Sequence, residues 1–467
     1  MNLTLRQYID GIESGKFTQQ EVYDAYMKKS KEKNPELNAY ISFNEQPVAD
    51  MKETTLKGAP IAIKDNFLVK GPVTCASKIL EGFVATYDAT TYSNLVSNGG
   101  ALLGKTNLDE FAMGGSTENS CYGPSKNPHD ITKIPGGSSG GSAVAVAADL
   151  CIAALGSDTS IRQPASLCGI VFKPTYGRNS RYGVVAMASS LDQVGVFTKT
   201  VEDCVILSKT LAGKDPLDAT SIKKDNLNTW DEALAKEDIK DLKIAVPRQL
   251  LEEGIDLEVK KTIEESIKKI ESLGATVDYV DMTTLKSAIE VYYIVMPAEV
   301  STNLSKFDGI RFGKGDNSFD FPDVYAYYEK VRSEGFGDEA KRRIMLGSYV
   351  LSAGYYDAFY NKAQKVRRLI KNEYDKIFAD YDLVIGPVSP DVAWDIAKID
   401  DPIKMYLADI YTIPVNLAGL PAMSLPVGTA DGLPVGLHII ANQWQENKIF
   451  HLANVLEKEL DIELKVL

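Results

Sequence analysis

The segment Pro135-Gly136-Gly137-Ser138-Ser139-Gly140-Gly141-Ser142 puts three serine hydroxyls within five residues, among glycines. Glycine has no Cβ, so the backbone N–H groups of such a run can approach a ligand closely. A hydroxyl nucleophile beside backbone donors suits acyl transfer, the donors holding the oxyanion. After the small apolar residues 143–155 comes a second serine-bearing loop, Gly156-Ser157-Asp158-Thr159-Ser160-Ile161-Arg162-Gln163-Pro164. A flexible Gly/Ser linker is the plain alternative, and the apolar flanks argue against it.

Such chemistry needs a base. Histidine is scarce: the chain has His129, His438 and His451. Only His129 is near the glycine loops in sequence, in the ordinary loop context Asn127-Pro128-His129-Asp130, so a Ser-His-Asp triad is disfavoured. Lys64 closes the apolar run Pro60-Ile61-Ala62-Ile63-Lys64. Burial there disfavours the ammonium and lowers the pKa, leaving an amine that can accept a proton. Taken alone, a lysine at a strand end reads as a surface charge.

These three segments, in this order, resemble the amidase signature family. Lys341-Arg342-Arg343-Ile344-Met345-Leu346-Gly347, Ser352-Ala353-Gly354-Tyr355-Tyr356-Asp357-Ala358 and the stretch from Met405 to Pro421 are similar to one branch. That branch comprises the A subunits of the tRNA-dependent amidotransferases for Glu-tRNA(Gln) and Asp-tRNA(Asn). The likeness runs from about residue 5 to about 460. It implies an α/β amidase-signature fold, a large mixed sheet covered by helices on both faces. It also implies hydrolysis of L-glutamine to supply ammonia, with Lys64 as general base, Ser138 as a bridging serine on a cis peptide, and Ser160 as the acyl-forming nucleophile. Arg343 would pair with the substrate α-carboxylate, a bidentate role suited to arginine. Asp409 would accept from the α-amino group, and Tyr292 would line the pocket. Each also has a structural reading, as a helix-face charge, a helix-cap acid and a core tyrosine.

The implied partners are the B and C subunits of a heterotrimer for protein biosynthesis, with charged tRNA held mainly by B. No cofactor or metal is expected in this chain; ATP and Mg²⁺ are implied for the partner subunit. The complex as a whole would be an ATP-dependent ligase.

The pattern departs from the family around the expected nucleophile. Thr159 is followed directly by Ser160, where the family has two intervening glycines. Two residues of extended chain span roughly 7 Å. The segments Cys168–Pro174 and Lys70–Cys75 are each one residue shorter than is common. A rebuilt loop retaining activity, and a scaffold protein that has lost its chemistry, both stay open. Ser157 is a second candidate nucleophile, and a stand-alone amidase is a closer relative reading. Gly99-Gly100-Ala101-Leu102-Leu103-Gly104-Lys105-Thr106 fits a phosphate-binding loop formally. Its context, a helix before and a strand within, is wrong for one.

Positioning these groups requires a large scaffold. The 467 residues carry 44% hydrophobic and 25% charged residues, ordinary for a globular chain. No repeat or linker stands out, so a single amidase-signature domain is expected over 1–467. It would have an N-terminal helical region at about 1–45 and a surface insertion at about 214–241. Thr18-Gln19-Gln20-Glu21 is a capping box opening a helix to about Lys31. Strands are expected at 38–43, 59–64, 101–103, 242–246 and 277–280, and helices at 89–96, 142–148 and 259–273, with long helices over 340–379 and Arg367, Arg368 and Lys371 on exposed faces. The five cysteines form no CxxC pair and read as reduced, buried residues. The N-terminal residues lack a secretory pattern, so a cytoplasmic protein is expected. A net charge of −13 is unsuited to holding a polyanion unaided.

Overall fold

A computed structural model describes residues 2–46, 50–158, 169–252, 254–315, 320–398 and 407–460. Its strands are β1 (Tyr40–Phe43), β2 (Ala59–Lys64), β3 (Gly71–Pro72), β4 (Val84–Ala85), β5 (Gly100–Thr106), β6 (Ala153–Asp158), β7 (Ile170–Lys173), β8 (Gln193–Thr198), β9 (Lys243–Pro247), β10 (Thr276–Val280), β11 (Leu383–Pro387), β12 (Ala422–Ala430) and β13 (Leu433–Ala441). Eleven of them form one sheet in the order β1-β5-β2-β6-β8-β7-β12-β13-β11-β9-β10, and β3 pairs with β4 separately. The sheet is mixed, as expected. Strands β5-β2-β6 and β11-β9-β10 run parallel, while the strands between β6 and β11 pair antiparallel.

Every residue of β2, β6, β7, β8, β11 and β13 is buried. A strand hidden on alternate sides along its length is covered on both faces, which is why β2 and β11 read as nearly continuous apolar runs. The edge strand β10 is largely exposed instead.

The covering helices are α1 (Leu5–Glu13), α2 (Gln19–Leu37), α3 (Thr90–Ser97), α4 (Gly140–Ala147), α5 (Val201–Leu211), α6 (Asn228–Leu234), α7 (Leu257–Ser272), α8 (Ala288–Asn303), α9 (Val324–Gly335), α10 (Asp338–Leu351), α11 (Lys362–Asp380), α12 (Ile413–Leu417) and α13 (Glu446–Leu460). Local chemistry explains their ends. Thr18 and Glu21 form the expected capping box. A second one, Thr4 with Gln7, opens α1. The helix begun at Gln19 runs six residues past Lys31, to Leu37, where Asn38 takes a left-handed conformation at φ 49°. Alanines, glycines and valines let α4 lie closely across β2, β5, β6 and β8.

Other expectations change. Arg367 is not on an exposed face: it donates to the carbonyls of Leu417 (2.8 Å) and Ser190 (2.9 Å), stitching α11 to the end of α12 and to the loop before β8. Cys121 is exposed, whereas Cys75, Cys151 and Cys204 are buried, and none of these four is in a disulfide; Cys168 lies outside the described residues. As its sequence context indicates, Gly99–Thr106 is not a phosphate-binding loop: Lys105 is in strand β5 and pairs with Asp65 at 3.3 Å, so no helix opens at its lysine. The 214–241 stretch carries α6, whose Trp230 is fully buried against Phe450 (ring centroids 5.1 Å apart). No helix among the described residues is long and apolar enough to cross a membrane.

Candidate active site

Strand β2 ends on Lys64, which is fully buried. The parallel neighbour β6 ends on Ser157 and Asp158, and the loop entering α4 supplies Ser138. Lys64 Nζ lies 2.7 Å from Ser138 Oγ, 3.0 Å from Ser157 Oγ and 3.2 Å from the Ser157 carbonyl oxygen. The ammonium donates to all three. In the neutral amine the Ser138 contact can reverse, the hydroxyl donating to the nitrogen lone pair. That is the geometry of a proton relay. The Gly137–Ser138 peptide is cis.

The glycines here are spacers for close approach, and the run is no linker. A Cβ on Gly137 would fall 2.2 Å from Asp109 Oδ2 and 2.5 Å from the Ser116 nitrogen. A Cβ on Gly141 would fall 2.5 Å from backbone atoms of Ala39 and Asn107. The run can sit against these neighbours only without side chains.

Burial pushes the Lys64 amine down to about 7, against the pull of Asp109, Asp158 and Asp192 toward the charged form. This is the effect expected from its place at the end of an apolar strand. The sign for reaction follows. A base must be neutral to act, so amide hydrolysis through Lys64 should rise with pH through about 7 and level off above. Below that, kcat/KM should fall about tenfold per pH unit. A pH–rate profile flat from about pH 5.5 to about pH 8 would exclude Lys64 as the titrating base.

Several residues that support this centre carry no motif. Asn66 Nδ2 donates to Ser157 Oγ at 2.7 Å, so that hydroxyl is engaged from two sides. Ser139 Oγ donates to the Ser157 carbonyl at 3.0 Å. The Asp109 amide donates to the Ser138 carbonyl at 3.2 Å, and its carboxylate accepts from the amides of Thr117 (2.9 Å) and Asn119 (3.0 Å). The adjacent Glu110 accepts from the Gly337 amide at 2.9 and 3.1 Å, at the start of α10. Residues 109 and 110 therefore brace the serine turn and α10 together. Ser139 belongs to the glycine/serine run and Asn66 follows the strand-end lysine by two positions, whereas Asp109 and Glu110 have no sequence signal.

Helix α10 carries Arg343, which is buried. Its Nε lies 2.6 Å from Glu339 Oε1, its Nη1 3.4 Å from Met296 Sδ, and its guanidinium 5.7 Å from the centre of the Tyr293 ring. Tyr292 is buried beside them on α8, its ring 5.1 Å from that of Tyr293. The close α8–α10 approach depends on Gly347, where a Cβ would fall 1.9 Å from the Pro297 carbonyl oxygen. Asp409 is buried just before α12, its carbonyl accepting from the amides of Thr412 and Ile413 at 3.1 Å. The structure thus gathers Lys64 with Ser138 and Ser157, and Arg343 with the α8 tyrosines. Thr159 and Ser160 lie outside the described residues, as do residues 161–168. Among the described residues no group of three or more His, Cys, Asp or Glu side chains is arranged to hold a metal ion.

Comparison with known proteins gives a consistent picture. The family described as Amidase matches residues 21–450. The A subunit of the glutamyl-tRNA(Gln) amidotransferase of Thermoanaerobacter pseudethanolicus is 48% identical over 473 residues, covering 98% of this chain and 96% of the relative. Its counterpart in Caldanaerobacter subterraneus subsp. tengcongensis is 48% identical over 480 residues, covering 99% and 98%. The crystal structure of the Thermotoga maritima counterpart superposes with a TM-score of 0.83 at 42% identity, covering 98% of this chain and 94% of that one.

Proposed function

Since the chain belongs to the amidase family, we propose that it is the glutamine-hydrolysing component of a tRNA-dependent amidotransferase that converts Glu-tRNA(Gln) to Gln-tRNA(Gln). The observation that carries this is the buried Lys64 amine, 2.7 Å from Ser138 Oγ, in a chain nearly half identical to such proteins over its length. Ser160 Oγ attacks the glutamine side-chain carbonyl, and its proton passes through Ser138 to Lys64. The C–N bond breaks, and the amide nitrogen leaves as ammonia after taking a proton back through the same relay. Water then cleaves the glutamyl ester to glutamate and restores Ser160. Arg343 holds the α-carboxylate, Asp409 the α-amino group, and Tyr292 the wall of the pocket.

The B and C subunits complete the assembly, and B uses ATP and Mg²⁺ to activate the misacylated tRNA in the cytoplasm. The charge of −13 supports leaving most of the tRNA to B. Asp-tRNA(Asn) is a second acceptor of the same chemistry.

Glutamate release from glutamine by the chain assembled with its B and C subunits tests this. The parent should turn over, and Ser138→Ala and Ser160→Ala should each lower kcat by at least about 10²-fold. No release by the parent would favour the scaffold reading, for which the shortened Thr159-Ser160 loop is the reason. Preference for small amides over glutamine would favour a stand-alone amidase.

A further inference from the structure

Helix α10 has two unlike sides. One buries Arg343; the other shows Met345 (72% exposed), Leu346 and Tyr349 (49% exposed) to solvent. The apolar surface does not stop at the helix end. Tyr349 packs on Tyr355 (ring centroids 4.3 Å apart), and Tyr355 on Phe359 (5.9 Å), all three exposed. Every residue from 352 to 359 is exposed, although its second half enters a helical turn of wide pitch, Tyr356–Asn361. Met345, Leu346 and Tyr349 also line a shallow depression of about 440 Å³. Contiguous aromatic, methionine and leucine side chains in solvent mark a protein–protein surface, because isolated chains seldom leave such a patch wet.

Charge indicates what covers it. Directly after the patch, α11 opens with Lys362, Lys365 and Arg368, all three exposed. Among the described residues these three cations form no ion pair. No acidic residue stands between Lys362 and Glu373. In a chain of net charge −13 this is a local excess of positive charge beside an apolar centre. RNA would also meet cations and aromatic rings. Here, however, the rings pack on one another rather than standing apart to receive bases, and Met345 and Leu346 offer nothing to a phosphate backbone.

Resting on the function proposed above, we propose that the outer face of α10, the 352–361 turn and the first turns of α11 form the docking surface for a partner protein of the amidotransferase. That partner presents apolar side chains ringed by carboxylates. The buried side of the same helix holds Arg343, so a partner seated there contacts the element that would bind the glutamine carboxylate.

The test uses the chain co-expressed with its B and C subunits. Met345→Asp and Phe359→Asp alter exposed side chains, and circular dichroism of the purified chain should match the parent. Each should weaken assembly by about 100-fold or more in sedimentation or calorimetry, while Leu257→Asp, an equally exposed apolar position on α7, should not. A Lys362→Glu, Lys365→Glu, Arg368→Glu variant should weaken assembly and flatten its salt dependence. Amides of residues 345–361 should gain protection from hydrogen exchange in the complex. Unchanged affinity without protection would overturn the proposal. So would variants that assemble normally but lose tRNA binding, which would make the face an RNA surface, or a patch that pairs only with a second copy of this chain. If the parent chain assembles with neither B nor C, the proposed function fails first and the surface with it.

Discussion

Lys64→Met should lower kcat/KM for glutamine by about 10²–10⁴ while leaving the protein folded. The proposed role asks one amine to accept a proton relayed from the nucleophile, and the other groups in contact with it are serine oxygens and a serine carbonyl. Methionine fills similar space without a basic nitrogen, so packing around β2 persists while the relay loses its terminus. Single-turnover kinetics with the assembled complex would read the loss. Ser138→Ala should cost a similar amount, and the double variant little more, because residues that act as one relay are not additive. Fully additive losses, or a Lys64→Met enzyme within about tenfold of the parent, would place the base elsewhere. The substitution also has a stability signature. The folded-state amine titrates near 7, far below the ordinary lysine value of 10.5. Over that interval the unfolded chain holds a proton that the folded chain has released, so the parent gains stability as pH rises from about 7. Below about 7 the cost of burying the ammonium is present in full. Lys64→Met should remove that slope.

Glu446→Ala should destabilise the fold by about 3–5 kcal/mol, because it leaves a buried charge without its partner. Arg178 and Glu446 form a two-point pair, Nε–Oε1 2.9 Å and Nη2–Oε2 2.8 Å, with side chains 2% and 0% exposed. Glu446 also accepts from Thr175 Oγ1 at 2.7 Å, and the guanidinium lies over the Trp444 and Trp230 rings at 4.9 and 5.2 Å. Removing the carboxylate strands a guanidinium that cannot shed its proton, far from water. The joint replacement Arg178→Met, Glu446→Leu leaves no buried charge and should cost less than Glu446→Ala alone. Urea unfolding followed by tryptophan fluorescence reports on it directly, since Trp230 and Trp444 flank the pair. A loss below about 1 kcal/mol would mean that solvent reaches the arginine once its partner is gone.

Much of the scaffold is legible in the chain because its causes are local. The Thr18 box, the apolar stripe of α7 closed by Gly274 at φ 100°, and the apolar runs of β2 and β9 each depend on residues a few positions apart. The end of α2 is harder to read, since the turns after Lys31 are strongly polar and only Asn38 marks the stop. Arg367 reads as a helix-face charge because its acceptors, the carbonyls of Ser190 and Leu417, are 177 and 50 residues away in sequence.

The residue types and order of the proposed site, Lys64 before Ser138 before Ser160, with Arg343 and Asp409 far downstream, were determined by the sequence alone, and so was the likeness that gives them roles. Tertiary structure decided what those residues can do. Lys64 meets Ser138 across 74 residues and Ser157 across 93, because β2 and β6 become parallel neighbours and α4 starts beside their ends. The same packing covers both faces of the sheet and so strips water from the amine. Burial is a property of the whole fold, and it is burial that turns a strand-end lysine from a surface charge into a group able to take a proton near neutral pH.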